Sequence, residues 1–77
     1  REMYPNGNTP VQTIQEIGQL LRDERKARGM TQADFAMMLG VGRRFVIDLE
    51  RGKETTEAGK MMSALVQAGF VVRIGKD

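Results

Sequence analysis

The fold is decided by the stretch Thr31-Gln32-Ala33-Asp34-Phe35-Ala36-Met37-Met38-Leu39-Gly40-Val41-Gly42-Arg43-Arg44-Phe45-Val46-Ile47-Asp48-Leu49-Glu50-Arg51-Gly52. Thr31 is a good N-cap, because its hydroxyl can accept a bond from an orphan N–H of a first helical turn. Gly40 is a matching stop, so a short helix is predicted from Gln32 to Leu39. Gly40-Val41-Gly42 makes the next break. A second short helix follows from Arg43 to about Arg51, closed by Gly52, with Val46 and Leu49 spaced to pack inward. Ala36 suits a close crossing of the two helices, and Phe35, Leu39, Val41, Val46 and Leu49 supply apolar contacts to hold their axes at a steep angle. One face of the second helix is left outside.

Upstream, Ile14, Ile17, Leu20, Leu21 and Ala27 recur at helical spacing from about Thr13 until Gly29. Downstream, Thr55 or Thr56 can cap a further helix through Met61, Met62, Leu65, Val66 and Ala68 to Gly69. In the pairs Met37-Met38 and Met61-Met62, core filling competes with an adaptable partner surface. Phe70-Val71-Val72-Arg73-Ile74 reads as a β-strand between Gly69 and Gly75. A lone strand leaves its backbone groups bare, so Val71, Val72, Arg73 and Ile74 are expected to pair with their copies across a dimer. A disordered tail, or pairing with a different protein, are the alternatives. The fold class is therefore all-α, about four helices with a short C-terminal β-strand. Residues 1–12 form a flexible arm rich in turn formers, residues 13–69 the helical domain, and residues 70–77 the strand and tail.

Seventy-seven residues, 40% of them hydrophobic, support one domain with one core. Cysteine is absent, so extra stability must come from association, and a homodimer is expected. Histidine is absent too, which removes the commonest general base and metal ligand. No nucleophile-base pair, metal cluster or phosphate-cradling loop can be assembled, so no enzyme activity, metal or cofactor is expected. Net charge is only +2, yet four basic residues lie within 22–28 and four within 43–53, eight of the twelve. Such runs are either solvated helix surface or the footprint of a polyanionic partner. No apolar run approaches the roughly 20 residues of a membrane span, and no signal peptide is evident, so a cytoplasmic, nucleoid-associated location is expected.

A short helix held steeply across another, with its outer face free, can enter the major groove of DNA. The sequence resembles the lambda-repressor-like (Xre-type) helix-turn-helix family over about residues 14–69, in Leu21-Arg22, Arg25, Gly29-Met30-Thr31-Gln32, Phe35-Ala36, Gly40-Val41 and Leu49-Glu50-Arg51-Gly52. That resemblance implies sequence-specific binding of double-stranded DNA. It places Arg43 and Arg44 at base-reading positions, where arginine can bond guanine O6 and N7 together; contact with phosphate alone is the alternative. Phe45, Ile47 and Asp48 face outward if Val46 and Leu49 face inward. Contact with thymine methyls competes with packing for Phe45, and Asp48 either accepts from cytosine or orients Arg44. The family more often carries a small polar residue at the position of Ile47. Thr31, Gln32, Arg51 and Lys53 are the candidates for phosphate contact, although Arg51 and Lys53 also suit a helix C-terminal dipole. Arg25 and Glu50 match a structural salt bridge of related repressors. Within the family, Val41-Gly42-Arg43-Arg44-Phe45-Val46, Leu49-Glu50-Arg51-Gly52-Lys53 and the hydrophobic tail resemble HipB-type antitoxins. Such a likeness implies a homodimer that represses its own operon at a palindromic operator and binds a HipA-type kinase toxin. A regulator without a toxin partner, and an interaction module that has lost DNA binding, are the alternatives.

Overall fold

Thr13 opens the first helix by accepting the Glu16 N–H at 3.1 Å, while the Glu16 carboxylate accepts the Gln12 N–H at 3.0 Å. The first bond satisfies a donor that the helix start would leave bare, and the second ties down the residue before the cap. The computed structural model describes residues 10–54 and 57–76. Its elements are α1 (Ile14–Ala27), α2 (Gln32–Leu39), α3 (Arg43–Glu50) and α4 (Ala58–Gln67). Thr31 caps α2 by accepting the Asp34 N–H at 3.0 Å. Gly40 ends α2 at φ 72°, a left-handed turn that spares a side chain the clash of its β-carbon, and the Val41 N–H reaches back to the Ala36 carbonyl at 3.0 Å.

α3 lies between α1 and α2, and α4 packs on α2. Leu21 of α1, Phe35, Ala36 and Leu39 of α2, Val46 and Leu49 of α3, and Met61, Ala64, Leu65 and Ala68 from α4 and its cap form the core. α1 and α3 approach closely at Gly18. A β-carbon there would run into the Leu49 carbonyl oxygen, so α1 and α3 touch backbone to backbone.

Several expectations need correction. Ala27 is exposed, because at 100° per residue it lies about 120° round α1 from Leu21. Arg25 continues the inward stripe instead and pairs with Glu50, while Arg28, the exposed C-cap, reaches across to the Ala68 carbonyl. Glu57, not a threonine, holds the N-cap of α4, without a side-chain bond; Thr55 and Thr56 themselves lie outside the described residues. Each methionine pair divides: Met38 and Met61 pack inward, while Met37 is 82% exposed and Met62 lies at the surface. The tail is a separate matter, since the expected pairing is between two copies: among the described residues 70–76 join no ladder within the chain, Phe70 packs against the core, and beyond it Val71, Val72 and Ile74 are exposed. The arm's residues 1–9 lie outside the described residues. No described helix is long and apolar enough to cross a membrane.

Candidate nucleic-acid interface

The outer surface of α3 begins at Gly42, which leaves the helix start without a side-chain cap, and continues through Arg43 and Arg44, both exposed. One turn further on, Asp48 gathers two cations. Its Oδ1 lies 3.4 Å from Arg44 Nε and its Oδ2 lies 3.7 Å from Lys53 Nζ, with Arg44 75% exposed and Asp48 only 21%. The half-buried carboxylate therefore sits as a charged floor beneath two exposed basic side chains. Asp48 is thus paired with Arg44 one turn before it on the same helix. Arg51, at the end of α3, is exposed as well.

Phe45 does not face outward. It is half-buried against the core, because it lies only 40° round α3 from Leu49, one turn away. The Nζ of Lys60, from α4, stands 6.0 Å from its ring centroid. Ile47 is half-buried but is not among the side chains packed on the core cluster, so it borders the exposed face.

Behind that face, a polar cluster joins three elements. Arg25 donates from Nε to Glu50 Oε2 at 2.7 Å, from Nη2 to Glu50 Oε1 at 3.0 Å, and from Nη1 to the Met30 carbonyl at 3.0 Å. The two side chains are 13% and 5% exposed, so the pair is largely shielded from water. Hydrogen bonding to Glu50 raises the Arg25 pKa further above its ordinary value, against the cost of desolvation, with the carboxylate's charge assisting. Gln32, expected at phosphate, donates its Nε2 to Glu50 Oε1 at 3.2 Å. Its amide thus ties the start of α2 to the end of α3. Thr31 is exposed at the same end, and its hydroxyl keeps a proton to donate while its oxygen caps the helix.

Residues 21–68 match the helix-turn-helix family. The chain belongs to the helix-turn-helix family. A relative in Sinorhizobium fredii, named as the uncharacterized HTH-type transcriptional regulator y4mF, is 39% identical over 64 residues, covering 83% of this chain and 84% of that protein. Among solved structures, a chain of a HipA-HipB-O2-O3 complex superposes with a TM-score of 0.76 at 13% identity, covering 90% of this chain and 97% of the other. At that identity the likeness is one of fold. The chain is a DNA-binding regulator of the helix-turn-helix class.

Around this helix-turn-helix, three supporting residues escaped the sequence reading. Gly18 could have been suspected, since a glycine inside a helical pattern usually marks a packing need. Gln15 could not: its Nε2 donates to the Gly52 carbonyl at 3.0 Å, and a β-carbon on Gly52 would meet Gln15 Cγ at 2.6 Å. Arg28 was counted with a basic run, yet it donates to Glu24 at 2.7 Å, to the Ala68 carbonyl at 3.0 Å and to the Met38 sulfur at 3.2 Å. Two of the four basic residues of that run therefore serve the fold.

Proposed function

We propose that the protein is a sequence-specific transcriptional repressor that binds a palindromic operator as a homodimer. Arg43 and Arg44 read bases, Ile47 borders them, Asp48 orients Arg44, and Thr31, Gln32, Arg51 and Lys53 meet phosphates. The observation that carries this reading is the free outer face of α3, with two exposed arginines at its start and a shielded carboxylate below. Two-fold pairing would set the half-sites about one helical turn, roughly 34 Å, apart. Selection of bound fragments from random DNA tests it: a palindromic consensus is expected, and no enrichment at low salt would leave an interaction module instead.

The protein further acts as the antitoxin of a HipA-type kinase operon and autoregulates that operon. Supporting this are the likeness in fold to a chain of the HipA-HipB-O2-O3 complex and the exposed apolar tail, which suits pairing or partner contact. The similarity to y4mF, named only as a transcriptional regulator, favours a second reading in which no toxin is bound. Co-expression with a kinase-like neighbouring reading frame separates them: the first predicts a stable complex, the second none.

A further inference from the structure

Lys60 lies in the first turn of α4, outside the helix-turn-helix proper, and none of the assigned contacts uses it. Its position is nevertheless tied to α3. The ammonium stands 6.0 Å from the centroid of Phe45, the residue that directly follows Arg43 and Arg44. That distance is the outer limit of a cation–π contact. Phe45 is packed against the core, so this contact places the lysine beside the start of α3. The other partner of Lys60 is Glu57 at 3.4 Å, in a pair whose side chains are 55% and 69% exposed. Such a pair is weak and screened by salt, so it yields readily to another anion.

We propose that Lys60 contacts a backbone phosphate flanking the bases addressed by α3, which adds α4 to α2 and α3 as a third helix on the DNA, with Glu57 standing in for that phosphate in the free protein. The inference rests on the reading of α3 as the DNA-facing helix. It adds a contact of a different kind, one that strengthens binding without reading sequence. Each phosphate neutralised by a cation contributes about 0.9 to the slope of log affinity against log salt.

The test uses the selected duplex and a random duplex of equal length. Lys60→Met keeps an apolar stem on Phe45 and removes the charge; Lys60→Arg keeps the charge; Glu57→Gln removes the competing carboxylate. Lys60→Met should weaken both duplexes by a similar factor and lower the salt slope by about 0.9, so that between about 50 and 200 mM salt it loses roughly threefold less affinity than the parent chain. Its melting temperature should not change, Lys60→Arg should restore the slope, and Glu57→Gln should tighten both complexes. A Lys60→Met slope equal to the parent's overturns the contact while the DNA reading stands. Failure of the parent chain to bind any duplex at low salt overturns both.

Discussion

Arg25 and Glu50 show how a single buried pair decides whether a mutation acts through contact or through folding. Glu50 is 5% exposed and accepts three hydrogen bonds, two from Arg25 and one from Gln32. Glu50→Ala should cost about 3–5 kcal/mol because it leaves the Arg25 charge shielded and unmatched. Thermal melting should show that loss in the absence of DNA. Replacing both residues by apolar ones of similar volume should recover much of it. The arginine's contribution carries a definite sign with pH. A folded pKa raised above the unfolded one gives stability that is complete below the unfolded value and fades only as pH climbs through the folded value. Both lie above the range in which proteins are handled, so the arginine side of the pair adds no pH dependence there. On the exposed face the logic differs. Arg43→Ala should leave the melting temperature alone and cost the cognate duplex about 1–3 kcal/mol more than a random one. Lys53→Ala should weaken both alike, and titrations against the two duplexes distinguish the cases.

Two glycines in helices carry opposite predictions. Gly59 lies in α4 with open space where a β-carbon would go, so Gly59→Ala should stabilise by about 0.5–1 kcal/mol through helix propensity alone. Gly18 has the same intrinsic penalty, yet its missing β-carbon lets α1 meet the Leu49 carbonyl. Gly18→Ala must push α3 away and should destabilise by about 1–3 kcal/mol despite the better helix former. In a domain of this size about 1 kcal/mol moves the melting midpoint by roughly 4–8 °C, so both signs are readable by thermal denaturation. These elements also show what pattern could reach. Caps and stops located α2 within a residue, because Thr31 and Gly40 act on their own backbone. α4 was harder, since its start at Ala58 lacks a side-chain cap and is set by docking of Met61 and Leu65.

For the molecule as a whole, the exposed apolar groups are concentrated on α4 and the tail, at Met62, Val66, Val71, Val72 and Ile74, the last 95% exposed. If a second copy covers the tail, the melting temperature should rise with protein concentration. Val72→Pro, which removes a backbone donor, should then lower it toward a concentration-independent value. Sedimentation of both forms reads the same equilibrium directly, and a monomer at every concentration would argue against the paired tail. The basic character of the chain likewise needs the whole fold to interpret, because Arg25 and Arg28 bond to distant parts of the chain while Arg43 and Arg44 lie on the exposed face of α3. The sequence by itself determined the helices, the turn at Gly40 and the placing of Arg43 and Arg44 near a helix start, since these follow from caps, glycines and periodicity within a few residues of chain. Only the tertiary structure decided that Phe45 turns inward beneath Lys60, that Gln32 and Arg25 share Glu50, and that Gly18 admits α3. Each of those depends on a partner many residues away, whose distance no local pattern encodes.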